Sequence, residues 1–190
     1  MHIAFSGPQS SGKSTLLRQV KKLYPNDFLY VEEVTRTIAN TYKVPINEGA
    51  TDLTQILIVN HQLQNSLIDY KTQNKAGVIH DRCLIDGYVY TEYLYNRGKL
   101  SPNNNTLGYA KQLLTDYLKH IDCIFYTDPS DVPLVDDGVR SSNVAFRDDV
   151  TARFERIIAL DDIKSRVMRL KGTVEQRMEL VNSVISKLTL

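Results

Sequence analysis

The sequence predicts an α/β fold in which helices cover both faces of a parallel β-sheet. Short apolar runs alternate along the chain with longer segments whose apolar residues recur at helical spacing. The apolar runs are nearly continuous, which is typical of strands that are buried on both faces. Connections of this kind join parallel strands, and ligands bind beyond the carboxyl ends of those strands. We therefore look for functional residues where each predicted strand ends.

The first half of the chain contains alternating predicted strands and helices that end at recognisable residues. The strands cover 2–6, 28–31 and 78–81, and the helices cover 14–23, 33–42 and 52–74. Pro45 ends the second helix because proline cannot continue a helical hydrogen-bond pattern. Thr51 or Asp52 is available to cap the third helix, and Gly77 ends that region.

The second half continues the same alternation. Predicted helices over 86–96 and 106–119 flank a polar turn at 101–105. A strand over 121–126, a helix over 150–160, a strand over 167–170 and a helix over 174–188 follow. The order of the elements indicates one doubly wound sheet.

Composition indicates a single domain over residues 1–190 and narrows the range of partners. Of the 190 residues, 42% are hydrophobic and 24% are charged, as in an ordinary compact domain. The formal net charge of +1 gives no general attraction to nucleic acid or to an acidic membrane. Cys83 and Cys123 lack partners at metal-binding spacing and are predicted to be buried thiols. No apolar run is long enough to cross a bilayer, so we expect a soluble cytoplasmic protein.

A complete phosphate-binding loop follows the first predicted strand. Its residues are Gly7, Pro8, Gln9, Ser10, Ser11, Gly12, Lys13 and Ser14, with Thr15 next. Gly7 and Gly12 leave room for backbone N–H groups to face a triphosphate, and the next helix points its positive end at the same anion. Lys13 is expected to reach the β- and γ-phosphates, and the Ser14 hydroxyl to bind Mg²⁺. A GTPase is disfavoured, because the segment 74–77 lacks the aspartate of the guanine-binding motif.

Carboxylates and arginines follow two of the predicted strands. Asp81 ends an apolar strand, where it is expected to bind Mg²⁺ through water or to contact an acceptor, and Arg82 comes next. Glu33 and Arg36 follow the second strand and are three residues apart. Glu33 is suited to accept a hydroxyl proton while Arg36 holds phosphoryl charge. The alternative is an ordinary helical ion pair between the two side chains.

A polar segment and a tyrosine-rich segment complete the set of candidates. Asp137, Gly138, Arg140 and then Arg147 follow the fourth strand, where the arginines are expected to close over the phosphates. The tyrosines from Tyr88 to Tyr95 are candidates for stacking on a nucleobase or a sugar, with Tyr88 assigned to the substrate and packing on one face of a helix as the alternative.

Taken together, these motifs resemble the P-loop nucleoside and nucleotide kinases, and most closely the AAA-domain family that includes the NadR-type ribosylnicotinamide kinase domain. The matching segments are 7–15, Glu33 to Arg36, Asp81-Arg82, Asp137 to Ser141 and Gly172 to Arg177. The resemblance implies a three-layer sandwich around a five-stranded parallel sheet, with Mg-ATP as the phosphoryl donor. It also implies a short lid over about 136–150 that carries Arg140, and an adenine-binding turn at Gly172 and Thr173.

The leading functional hypothesis is transfer of the ATP γ-phosphoryl group to a nucleoside or a nucleoside monophosphate. The substrate contacts would come from Glu33, Arg36, Asp81, Arg82, Tyr88 and Arg147. Ribosylnicotinamide and a hydroxylated base in DNA are alternative acceptors, although the charge balance does not favour DNA. The alternative from another functional class is a non-catalytic module, in which bound ATP acts as a switch that controls a partner. The oligomeric state is left open, with a homodimer among the alternatives.

Overall fold

Five parallel strands form one sheet at the centre of the computed structural model, which describes residues 1–133 and 143–188. The strands are β1 (His2–Ser6), β2 (Phe28–Val31), β3 (Gly77–Asp81), β4 (Cys123–Thr127) and β5 (Val167–Leu170). Their order across the sheet is β2-β3-β1-β4-β5, and every neighbouring pair is parallel. The predicted five-stranded parallel α/β fold is confirmed. The sheet order changes direction around β1, which places the loop after β1 at the usual ligand-binding edge.

Eight α-helices connect and follow these strands within the described residues. They are α1 (Lys13–Leu23), α2 (Val34–Tyr42), α3 (Asp52–Ser66), α4 (Leu84–Asn96), α5 (Thr106–Tyr117), α6 (Val144–Ile158), α7 (Asp161–Lys164) and α8 (Val174–Ile185). None of the helices in the described part of the chain combines the length and the apolar character that a bilayer crossing requires.

The predicted helix over 52–74 is too long. It ends at Ser66, and the chain then enters a separate 3₁₀ turn at Lys71–Gln73. The Asp69 carboxylate accepts a hydrogen bond from the Lys71 backbone N–H at 3.0 Å, and Asn74 adopts a left-handed conformation with φ of 53°. Local side-chain hydrogen bonds of this kind compete with helix continuation, and the apolar spacing did not reveal them.

The helix predicted over 150–160 begins earlier, at Val144. The Asn143 side chain caps it by accepting a hydrogen bond from the Phe146 backbone N–H at 3.2 Å. Part of the segment predicted as a lid over about 136–150 is therefore the first turns of α6. The rest of that segment, including Asp137, Gly138 and Arg140, lies outside the described residues.

The two faces of the sheet bury separate apolar clusters, which makes the fold three-layered. Successive residues of β1 alternate between them: Ile3 and Phe5 pack with α1 and α8, whereas Ala4 packs with α4, α5 and α6. Cys83 and Cys123 are both buried and free, as the sequence predicted. Burial on both faces explains why the strands read as continuous apolar runs.

We predict that His80 makes the fold sensitive to acid. His80 lies in β3, is 2% exposed and stands 3.0 Å from the His2 ring, measured from His80 Nε2 to His2 Nδ1. Burial, and then the neighbouring His2, lower the pKa of His80 to about 3. The unfolded chain takes up this proton near pH 6.5 and the folded chain does not. The free energy of unfolding should therefore fall by up to about 1.4 kcal/mol per pH unit as the pH drops from about 6.5 towards 3.

Urea unfolding between pH 7.5 and 4.5 measures this effect in the wild type and in His80→Leu. The variant should lose less stability than the wild type over the same pH steps, because it has no imidazole to protonate. Parallel pH profiles for the two proteins would contradict the assignment to His80.

Candidate active site

The phosphate-binding loop joins β1 to α1 through left-handed backbone conformations. Gly7, Ser10 and Gly12 have φ of 138°, 53° and 89°. Left-handed residues in such a turn allow successive backbone N–H groups to face one anion. Gly12 is also the N-cap of α1, so the positive end of that helix lies directly after the loop. The loop thus has left-handed turns of the kind that its glycines predicted, and its contact with phosphate stays a prediction.

We predict that Gly7→Ala destabilises the fold and weakens nucleotide binding. A Cβ atom at position 7 would lie 2.7 Å from Thr127 Oγ1 and 2.9 Å from Thr127 O, so the end of β4 would have to move. With the unfavourable φ, the loss should be about 1–3 kcal/mol in the free energy of unfolding. Gly98→Ala is the matched control, because Gly98 also has positive φ, 65°, but its Cβ would meet nothing within 4 Å. Urea unfolding should show a larger loss for Gly7→Ala; equal losses would contradict the predicted clash.

Lys13 is folded against its own loop. Its Nζ donates to Gly7 O at 2.7 Å, to Pro8 O at 2.6 Å and to Ser11 Oγ at 3.1 Å, and the residue is 6% exposed. Burial, and then the charge of Arg82, lower the pKa of the Lys13 ammonium well below its usual range. A phosphate beside it would offset both effects by stabilising the charged form. The loop therefore holds a desolvated cation where an anion is favoured.

Asp86 joins the phosphate loop to the residues after β3, and sequence reasoning missed it. Its carboxylate accepts hydrogen bonds from Ser6 Oγ at 2.7 Å and from the Cys83 N–H at 3.0 Å. It also accepts from Arg82 Nη1 at 3.2 Å and from the Gly7 N–H at 3.4 Å. The one available signal was its place in the first turn of α4, where an acidic residue suits a helix start.

Among the described residues, Glu33 and Arg82 form the closest ion pair of the site. Arg82 Nε donates to Glu33 Oε1 at 2.7 Å, whereas Arg36 Nε lies 3.8 Å from Glu33 Oε2. The Arg82 guanidinium also stands 5.5 Å from the centre of the Tyr90 ring. Arg82 has φ of 79°, a conformation that a residue with a side chain adopts at a cost. Strained residues of this kind concentrate at functional sites.

Two cavities meet at Glu33 and Arg36. The first, which we call the α2–α4 cavity, is lined by Gln9, Glu33, Thr35, Arg36, Ile46, Asn47, Gln55, Ile58, Gln62, Arg82, Asp86, Gly87 and Tyr90. The second, the α1–α2 cavity, is lined by residues that include Ser14, Arg18, Glu33, Arg36 and Asp81. The candidate residues from β2, β3 and the phosphate loop are thus brought together.

The side chains predicted to bind metal line the same cavity. Ser14 and Asp81 both line the α1–α2 cavity, and their oxygen atoms are the kind of donor that Mg²⁺ prefers. Within residues 1–133 and 143–188, no three His, Cys, Asp or Glu side chains form a metal-binding group. That fits Mg²⁺ in a phosphate-loop site, which keeps water and phosphate oxygens as most of its ligands. Burial raises the pKa of Asp81, and the nearby Arg82 opposes that shift.

Two residues that were predicted to contact the substrate, Tyr88 and Arg147, line neither of the two cavities. Tyr88 is 7% exposed, packs in the core and donates from its hydroxyl to Glu92 Oε1 at 2.7 Å. It lines neither the α2–α4 cavity nor the α1–α2 cavity, whereas Tyr90 of the same helix lines the first. Arg147 donates to Pro129 O and to Val132 O, at 2.7 Å for the second, and so supports the chain after β4.

The turn after β5 is ordered by its own hydrogen bonds. Thr173 caps α8 by accepting from the Gln176 backbone N–H at 3.3 Å. Gly172 has φ of 86°, and its N–H donates to Asp131 Oδ2 at 2.8 Å. The adenine contact predicted for Gly172 and Thr173 stays a prediction.

Arg177 connects three loops at the carboxyl edge of the sheet, a role that was not predicted from the matched segment Gly172 to Arg177. Its guanidinium donates to Ser11 O at 2.9 Å, to Asp128 O at 3.0 Å and to Gly172 O at 2.9 Å. The residue is 2% exposed. The loops after β1, β4 and β5 are therefore held by one buried side chain.

Comparisons with known proteins agree with the fold of the chain. A family model described as an AAA domain matches residues 2–177. The chain is similar in fold to the NadR protein in complex with NR, with a TM-score of 0.70, 16% identity, and coverage of 98% of this chain and 51% of that one. For the NadR protein in complex with NAD and AMP-PNP the TM-score is 0.71 and the identity 14%, over 99% of this chain and 49% of that one.

A deoxyadenosine kinase from M. mycoides with dCMP and dCDP bound is also similar, with a TM-score of 0.68 and 14% identity, over 98% of this chain and 100% of that one. The chain thus spans about half the length of the NadR chains and the full length of the deoxyadenosine kinase. No curated protein sequence matches it. At these identities the similarity establishes the fold.

Proposed function

The chain belongs to the AAA domain family whose model covers residues 2–177, and from that premise we propose that it is a kinase that transfers the ATP γ-phosphoryl group to a nucleoside. One observation carries the proposal: Glu33 stands on the wall that the α1–α2 and α2–α4 cavities share. A carboxylate in that place can reach a molecule in either cavity. The P-loop kinase fold of the structural neighbours supports a nucleotide as the donor.

The donor side of the proposed reaction is the phosphate loop. Lys13 would hold the β- and γ-phosphates, for which its desolvated ammonium is suited. Mg²⁺, held through Ser14 and Asp81, would offset the negative charge of the phosphate oxygens when bound. The Arg140 and Arg147 contacts to the phosphates stay predictions, as do those of Gly172 and Thr173 to adenine.

The acceptor side is the α2–α4 cavity. A nucleoside hydroxyl beside Glu33 would lose its proton to that carboxylate as its oxygen bonds to the γ-phosphorus. The bond from this phosphorus to the β–γ bridging oxygen breaks, and ADP leaves. Arg82 keeps Glu33 in place through the 2.7 Å hydrogen bond, and Arg36 is near enough to share the phosphoryl charge.

The charge of the α2–α4 cavity favours a hydroxyl acceptor over a monophosphate. Among the described residues that line it, Glu33 and Asp86 oppose Arg36 and Arg82, so two negative charges balance two positive ones. A nucleoside monophosphate carries up to two negative charges and would need surplus arginines. An uncharged nucleoside fits this balance without further partners.

The rest of the cavity suits a flat ring with polar edges. Ile46, Ile58 and Tyr90 give apolar walls, and the amides of Gln55 and Gln62 give hydrogen-bonding groups. A nucleobase has both features. We therefore place the base of the nucleoside in this cavity.

Label transfer from γ-labelled ATP tests the proposal directly. The panel contains nucleosides, their monophosphates, ribosylnicotinamide and duplex DNA, each with Mg²⁺. We expect label on a nucleoside and little on monophosphates or DNA. Label on a monophosphate alone would replace the nucleoside with a nucleotide as acceptor. ATP binding without transfer to any compound would support the switch module instead.

A further inference from the structure

Gln9 belongs to the phosphate loop, yet its side chain lines the α2–α4 cavity. Its Oε1 accepts a hydrogen bond from the Tyr90 hydroxyl at 3.0 Å. The residue is 5% exposed, and its Nε2 has no hydrogen-bond partner among the described residues. A buried amide NH₂ without a partner is unfavourable, so such a group in a folded protein calls for an explanation.

Tyr90 sets the direction of the Gln9 amide. Burial raises the pKa of the Tyr90 phenol, so the hydroxyl keeps the proton that it donates to Gln9 Oε1. The Tyr90 hydroxyl donates to the carbonyl oxygen of the Gln9 amide, so the amide NH₂ is the group that still lacks an acceptor. The Arg82 guanidinium, 5.5 Å from the centre of the Tyr90 ring, restrains the ring in turn.

A second unpaired polar atom lines the same cavity. Gln62 is 4% exposed, and its Oε1 has no hydrogen-bond partner within residues 1–133 and 143–188. It packs against the bare backbone of Gly87, where a Cβ atom would lie 2.3 Å from Gln62 Oε1. The cavity thus offers one unused donor and one unused acceptor, from two different elements. Such a pair matches a ligand with an acceptor atom and a donor group of its own.

We propose that Gln9 determines acceptor specificity, by donating its amide NH₂ to an oxygen or ring nitrogen of the nucleoside while Gln62 accepts from a donor on the same molecule. This inference rests on the proposed function. It assigns a residue of the donor loop to the recognition of the acceptor. A nucleoside in the α2–α4 cavity would then also restrain the phosphate loop at Gln9.

Binding measured by calorimetry tests the inference apart from catalysis. The probes are ATP alone, and adenosine, deoxyadenosine, cytidine, deoxycytidine, guanosine and thymidine, each with a non-hydrolysable ATP analogue. Gln9→Met keeps the length of the side chain and removes both amide groups. We expect Gln9→Met to raise the Kd of the best-bound nucleoside at least about 10-fold, and by a larger factor than the Kd of ATP.

Two further variants test whether a weaker binding of the nucleoside comes from the Gln9 amide itself. Gln64→Met is the matched control, because Gln64 is an exposed glutamine of α3 that lines neither cavity, and both Kd values should match the wild type. Tyr90→Phe frees the Gln9 amide to rotate, so it should weaken nucleoside binding by less than Gln9→Met does. Thermal unfolding of each variant confirms that it is folded.

The outcomes separate this inference from the proposed function. If Gln9→Met weakens nucleoside binding but the wild type transfers no label, the inference stands and the kinase proposal fails. If label is transferred and Gln9→Met leaves nucleoside binding unchanged, the kinase proposal stands and the inference is wrong. If Gln9→Met raises the Kd of ATP and leaves that of the nucleosides unchanged, Gln9 contacts the phosphoryl donor and the inference is wrong. A wild type that binds none of the six nucleosides would also overturn the inference.

Discussion

Replacing Glu33 by glutamine is expected to lower kcat for phosphoryl transfer to a nucleoside at least about 100-fold. A glutamine oxygen can still accept the hydrogen bond from Arg82 that Glu33 accepts at 2.7 Å, so the arginine should stay in place. The amide cannot take the proton of the attacking hydroxyl, which is the role proposed for the carboxylate. Steady-state kinetics at saturating ATP measure the loss, and the Kd of ATP should change by no more than about twofold.

Glu32 gives the matched control for this experiment. It precedes Glu33 in the chain, but its side chain is 86% exposed and pairs only loosely with Lys21 at 3.8 Å. Glu32→Gln should therefore keep kcat within about twofold of the wild type. Similar losses in the two variants, or near-normal turnover in Glu33→Gln, would remove Glu33 from the role of general base.

The second large effect is expected from Lys13→Ala. Without the ammonium, the loop loses its cation beside the β- and γ-phosphates, and transfer should fall at least about 1000-fold. ATP binding should weaken to the limit of detection at micromolar nucleotide. Equilibrium binding of ATP and label transfer measure the two losses separately.

The interpretation of Lys13→Ala depends on the loop keeping its shape. Lys13 Nζ donates to Gly7 O and Pro8 O, so thermal unfolding must first show that the variant is folded. Lys22→Ala is the control on the same helix, because Lys22 is exposed and lines neither cavity. Normal ATP binding by a folded Lys13→Ala protein would contradict the proposed donor site.

The sequence predicted the fold and the phosphate loop because both depend on local patterns. Apolar runs that are buried on both faces are visible in one dimension, and their alternation with helices indicates parallel strands joined by crossovers. The family relationship also followed from short motifs, and the match over residues 2–177 confirms it. The predicted end of α3 was wrong because the chain after Ser66 is held by local hydrogen bonds, such as that from the Lys71 N–H to Asp69, which apolar spacing does not reveal.

Parts of the candidate site depend on side-chain direction across elements, which sequence spacing does not give. Tyr88 and Tyr90 are two positions apart on α4 and so point to opposite sides of the helix, but nothing in the sequence says which side faces a cavity. Likewise, Glu33 was paired with Arg36 by spacing, whereas the closer partner is Arg82, 49 residues away. Such pairs become visible only when the strands are placed side by side.

The contact between Arg177 and Ser11 has a consequence for the newly made chain. The phosphate loop is synthesised before most of this domain, yet one of its fixed contacts comes from a residue 166 positions later. At the usual rates of translation, roughly 8 to 33 seconds separate the two. The two strands that flank β1, β3 and β4, are made before Arg177, but until Arg177 has emerged Ser11 lacks that contact. A partly made chain that lacks Arg177 should therefore hold the phosphate loop less firmly than the 190-residue chain does.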